Sequence, residues 1–231
     1  MKNLHIYGHS MIKRARNEME SPTFVDILFK KYNLTENNYH FGDQGSEERI
    51  LYFLKKTWEV EYAIIFHSQP EMFFVPTLER DFTVMKEDDY FWQSKFFANL
   101  KYYPNVTKDK KITPEEKQNP KFLPKIKFKD EYFNYLKYFH TYDLNTTRHY
   151  GALMQIDQYI AYKKIKAIHC ILPTTCPTWY KITTGIVDDT IQGYQYKGSE
   201  YHCHHSEVAN SISSEGNIVI ANKLIEYLES L

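Results

Sequence analysis

The chain has 231 residues, 42% of them hydrophobic and 16% aromatic, and its 29 Lys+Arg balance 29 Asp+Glu. This length suits one domain that buries a sizeable core without disulfides or structural metals. The zero net charge excludes a general positive field for phosphate backbones or anionic lipid, so neither nucleic acid nor membrane is an expected partner.

Three cysteines, Cys170, Cys176 and Cys203, cannot all pair within one chain, and none stands in a C-x-x-C arrangement, which fits a reducing compartment. The opening MKNLHIYGHS lacks the longer apolar stretch of a signal peptide, and no window approaches the roughly 18 apolar residues of a membrane span. A soluble, cytoplasmic protein is expected.

In chain order, the first apolar run covers residues 4–7 and stops at Gly8-His9-Ser10. Ser10 has two readings. It is the N-cap of a helix starting at Met11, or a nucleophile presented at the mouth of a strand. Residues 24–32, FVDILFKKY, place Phe24, Ile27, Leu28 and Lys31 along one helical face. Residues 47–58 do the same for Ile50, Leu51, Leu54 and Trp58. Before the second helix, Gly45 and Ser46 read either as a turn whose backbone N–H groups suit an oxyanion or as an ordinary turn and cap. Glu47 and Glu48 in the first turn, with Lys55 and Lys56 in the last, complement the helix dipole.

The run YAIIF at 62–66 and the run AIHCIL at 167–172 have strand length and no strict alternation, as expected of strands buried on both faces of a parallel sheet. After the first of these comes HSQPEMF. His67 there is either a base or a packed polar residue, and Gln69 either an oxyanion donor or a loop residue before Pro70. Arg80-Asp81 reads as part of a loop. Residues 104–131, with four prolines and many lysines, read as an exposed insertion or flap within the single domain 1–231. Helices follow at 132–142 and 152–165. His169 and Cys170, inside an apolar strand, read as buried and inert. The chain closes on a helix pattern carrying Ala221, Leu224, Ile225 and Leu228. Strand–helix alternation of this kind predicts an α/β domain with ligands at the carboxyl ends of its strands.

Gly8-x-Ser10 after the first strand, Gly42-x-x-Gly45-Ser46 after the second, a polar amide after the third and a histidine-bearing loop before the last helix resemble the SGNH/GDSL hydrolases. The likeness is to their divergent branch, since His9 stands where the common pattern has aspartate. The resemblance implies a three-layer α/β/α, flavodoxin-like fold and ester hydrolysis through an acyl-serine. It makes Ser10 the nucleophile and the Ser10 and Gly45 amides, with Gln69, the oxyanion donors. It implies no cofactor, and a small-molecule or carbohydrate ester, such as an O-acetyl sugar, as substrate.

The chain departs from the family in its third block, where His67-Ser68-Gln69-Pro70 replaces Gly-x-Asn-Asp, and in its last. Counting back from Gly216 reaches Ser211 and Val208 where histidine and aspartate belong. Slightly upstream, YHCHHSE puts His202 and His205 on the family spacing. This makes His205 the base, His202 its polar partner, and Glu200, Glu207 or a backbone carbonyl the group that orients it. The same His202-Cys203-His204-His205 run also reads as metal ligands or as loop histidines. Three functions stay open: a serine esterase, a binding module that kept the pocket but lost the Asp-His pair, and a metal-dependent protein.

Overall fold

The computed structural model describes residues 3–15, 21–41, 46–68, 72–75, 80–83, 142–172, 175–195, 199–202 and 210–231. For residues 10, 72–75, 80–83, 142, 143 and 145 it gives the backbone alone. The chain divides into two compact units, Met1–Thr83 with Thr147–Leu231, and Val84–Thr146. The first unit carries everything below, apart from the opening turn of one helix. The insertion expected at 104–131 and the helix expected at 132–142 lie outside the described residues.

Five strands, β1 (Leu4–Gly8), β2 (Tyr39–Phe41), β3 (Tyr62–Phe66), β6 (Lys166–Cys170) and β7 (Ile186–Asp188), form one sheet in the order β2-β1-β3-β6-β7. Every pairing in it is parallel. Leu4 stands beside Tyr62 and Tyr62 beside Lys166, so the three central strands run in step. A separate antiparallel hairpin joins β4 (Met72–Val75) to β5 (Arg80–Thr83). Arg80-Asp81 therefore opens a strand, not the loop expected from Pro76; the short polar start of β5 carries no strand-like alternation.

The α/β expectation holds, and the core shows why the strands lack alternation. Leu4, Ile6, Ile64, Phe66, Ile168 and Cys170 pack on α1 (Phe24–Tyr32) and α4 (Ser214–Ser230). The intervening Tyr7, Ala63, Ile65 and Ala167 face α2 (Glu47–Lys56) and α3 (Tyr142–Lys163). With both faces covered, the three central strands are mostly apolar on both sides, with His5 and His169 as polar exceptions. Among the described residues no helix is long and apolar enough to cross a membrane.

Helix starts follow local chemistry. Thr23 and Asp26 form a reciprocal capping box on α1, Ser46 accepts the Arg49 N–H on α2, and Ser213 accepts the Gly216 N–H on α4. Three details differ from the sequence reading. α1 buries Phe24, Val25, Leu28 and Phe29, with Ile27 partly buried at the edge of the stripe and Lys31 exposed, and the Arg14 guanidinium lies 4.0 Å over the Phe29 ring. α2 ends at Lys56, the Thr57 backbone turns extended, and Trp58 is 89% exposed instead of closing the apolar face. α3 starts ten residues before the expected 152, because its polar first turns carry no apolar period.

On the edge strand, His40 stacks on Tyr7 at 4.5 Å and on His5 at 5.4 Å, with His5 Nδ1 3.2 Å from His40 Nε2. Burial, then the charges of His5 and Arg49, lower His40 from 6.5 to about 4, and burial lowers His5 as well. The folded chain thus favours neutral imidazoles. Its stability is complete above pH 6.5 and falls as pH drops from there toward 4, where the unfolded chain binds protons that the folded one refuses. Urea midpoints at pH 7 and pH 4.5 should show this loss in the wild type and a smaller one in His40→Phe; equal losses would remove the pair as its source.

Candidate active site

The carboxyl ends of β1 and β3 come unusually close. A Cβ on Gly8 would stand 2.7 Å from the Phe66 Cβ, so only glycine permits this approach. Ser10 follows at once, as the first residue of a 3-10 turn, Ser10–Ile12, closed by the Ile12 N–H on the His9 carbonyl at 3.0 Å. His9 flanks this turn, and its Nδ1 lies 3.5 Å from the Met11 N–H. A helix from Met11 capped by Ser10 is therefore not formed.

A second 3-10 turn, Ile191–Gln195, gathers the strand ends. It is anchored by Asp188, which accepts the Thr190 and Ile191 N–H groups at 2.8 Å and pairs with Lys223 at 2.6 Å and Tyr227 at 2.7 Å. Burial opposes ionisation of Asp188, but these donors hold its carboxyl well below the usual range. Gln192, 1% exposed, gives its amide N–H groups to the His67 and Cys170 carbonyls and sets its oxygen 3.2 Å from His9 Nε2. One side chain therefore ties the ends of β1, β3 and β6. Three residues on, the Gln195 carbonyl accepts from His202 Nδ1 at 2.8 Å. His202 in turn bridges Ile212, and the ring of Tyr201 fills the space that a Cβ on Gly216 would need.

Beneath these loops lies a buried polar chain. Glu47 and His67 have fully buried side chains, and Glu47 Oε2 stands 2.8 Å from His67 Nδ1. Glu47 Oε1 accepts the Ser68 N–H at 2.7 Å and lies 3.3 Å from the Ser68 hydroxyl. His67 Nε2 is 2.8 Å from His169 Nδ1, His169 Nε2 is 3.2 Å from Thr184 Oγ1, and the Thr184 hydroxyl donates to Asp157. Asp157 also accepts from the Tyr180 hydroxyl at 2.6 Å and from the backbone and hydroxyl of Thr183.

Charge within the chain follows from these contacts. Burial raises the Glu47 carboxyl, yet the neighbouring His67 and the Ser68 N–H more than offset it, and the net shift is downward. Asp157 is likewise brought to about 2 by its hydroxyl and backbone donors against the effect of burial. Burial, reinforced by His67, lowers His169 to about 3. Burial, with Glu47 and Asp157 nearby, raises the Cys176 thiol to about 11. His149, 2% exposed, is held by its Nε2 on the Thr175 carbonyl at 2.9 Å, while its Nδ1 is buried without a hydrogen-bond partner.

Of the residues singled out from sequence, Ser10 stands at the end of β1 and His202 on the loop before α4. Gly45, Gln69 and His205 lie outside the described residues, although their neighbours Ser46, Ser68 and His202 are placed. His67 is a packed residue of the buried chain. Among the described residues no group of three His, Cys, Asp or Glu is arranged to hold a metal ion; Cys203, His204, His205 and Glu207 fall outside them. Sequence reasoning missed Gln192, Asp157 and Thr184, and took Glu47 for a solvated dipole partner. Asp157 had a signal: it interrupts the apolar stripe of Leu153, Ile156 and Ile160 on α3. Compared with known proteins, the chain matches no family model and has no significant match to a curated protein.

Proposed function

We propose that this chain is a serine ester hydrolase of the SGNH type, on a flavodoxin-like three-layer fold. The observation that carries the reading is the turn Ile191–Gln195, which holds His9, the neighbour of Ser10, through Gln192 and holds His202 through the Gln195 carbonyl. The strand order β2-β1-β3-β6-β7 of the main sheet supports it, because the order reverses at β1/β3, where a ligand crevice belongs. So does the tautomer of His202: with Nδ1–H given to a backbone carbonyl, Nε2 is left with its lone pair, as a general base requires. A carbonyl then does the orienting work of the family's missing aspartate.

In this mechanism the Ser10 hydroxyl attacks the acyl carbon while a histidine of the 202–205 loop takes its proton. The resemblance assigns this role to His205; the Gln195 carbonyl on His202 Nδ1 supports His202 as the alternative. The Ser10 and Gly45 N–H groups and the Gln69 amide receive the oxyanion. The alcohol leaves with the proton, and water, deprotonated by the same imidazole, releases the acid. Cys176 is disfavoured as a rival nucleophile, since burial raises its thiol to about 11 and keeps it protonated at neutral pH. An exposed indole, Trp179, edge-on to Tyr150 and Tyr180 on the loop after β6, offers a stacking face and supports a carbohydrate ester.

A fluorophosphonate should label the protein on the peptide that contains Ser10, and a short-chain aryl ester should be hydrolysed at a rate that chelator does not change. A folded protein that neither labels nor turns over would leave the binding module as the reading. Loss of turnover with chelator would favour the metal.

A further inference from the structure

Hydrogen bookkeeping in the buried chain gives a result that neither carboxylate would suggest alone. From Glu47 to Asp157 there are four links, through His67, His169 and Thr184. Each link needs one hydrogen, and an ionised carboxylate at either end supplies none. Two neutral imidazoles and one hydroxyl bring only three. The Thr184 hydroxyl is directed to Asp157, so His169 must donate from Nε2 and accept at Nδ1. His67 must then donate from both nitrogens. The chain therefore holds one extra proton, on His67, balanced by Glu47.

The same carboxylate has a second role. Glu47 lies two residues after Gly45, and the N–H it accepts belongs to Ser68, one residue before Gln69. One side chain thus ties the first turn of α2, which follows Gly45 in sequence, to Ser68, which precedes Gln69. We propose that Glu47 is the positioning residue of the oxyanion site, a clamp between the start of α2 and Ser68 locked by a proton shared with His67. The charged and titratable groups facing this pair are His9 from the end of β1, His149 from α3 and Cys176 from the loop after β6. The positioning role rests on the esterase reading; the proton does not.

Two conservative variants of the full chain separate the halves. Glu47→Asp keeps the charge and the proton but shortens the clamp by one methylene. Its kcat for the aryl ester should fall on the order of 10²-fold, the usual effect of an ångström of misplacement, with KM little changed. Glu47→Gln can accept from Ser68 and donate to His67 Nδ1, so the chain is satisfied without the extra proton. Nitrogen-15 NMR of labelled histidines at pH 8 should find both His67 ring nitrogens protonated in the wild type and one in Glu47→Gln. An active wild type with Glu47→Asp equally fast overturns the clamp. A bare His67 nitrogen in the wild type overturns the proton. A wild type without esterase activity overturns the esterase reading and the positioning role with it, and the nitrogen spectrum still decides the proton.

Discussion

Glu47→Ala should lower stability by about 3–5 kcal/mol, the range seen when one member of a fully buried ion pair is deleted. Removing the carboxylate strands the His67 Nδ1–H and the Ser68 N–H, both buried from solvent. Denaturant unfolding checks this: the midpoint should fall sharply with the slope unchanged. The contrast is the Arg14 pair with Glu36, which is 76% exposed; Glu36→Ala should be nearly silent, as solvent-exposed pairs usually are. A Glu47→Ala effect as small as that of Glu36→Ala would mean the buried chain is not formed.

Ser10→Ala should abolish turnover, a loss on the order of 10⁶-fold in kcat if the residue is the nucleophile of a complete serine mechanism. It should also end phosphonate labelling. Stability should stay within about 0.5 kcal/mol of the wild type, because the turn at Ser10 is closed by backbone groups of His9 and Ile12. This pairing of large catalytic and small structural effects separates nucleophile from turn residue. His202→Ala should lower kcat by about 10²–10⁴-fold, the usual contribution of a general base, and His205→Ala should do less. The reverse order would hand the base to His205. Ser10→Ala at wild-type rates would end the serine mechanism.

The centre of the sheet was legible in the sequence because β1, β3 and β6 are buried on both faces and so stand out as mostly apolar runs. YAIIF matches β3 residue for residue. β2 and β7, three residues each at the edges, escaped notice because half-exposed strands that short have no pattern to detect. Ser10 was singled out from Gly8-x-Ser10 after the first strand, and His202 from the YHCHHSE run, as the polar partner of His205. The buried chain was not, because it depends on side chains up to 110 residues apart in sequence, Glu47 and Asp157, meeting under one set of loops. Glu47 shows the difficulty best: beside Glu48 in a helix's first turn it looks like ordinary surface charge, and only the tertiary contact with Ser68 and His67 draws it inside.

The shortness of the two outer strands has a consequence for crowded solutions. Long, open strand edges template pairing with other chains and seed cross-β aggregates, whereas brief ones offer too few backbone groups in a row to hold a stranger. Here the longer strands are the three interior ones, while β2 and β7 end after three residues each. Among the described residues, the β-prone run YAIIF is therefore hidden in the middle of this sheet, and the sheet's two edges offer only three residues each for pairing.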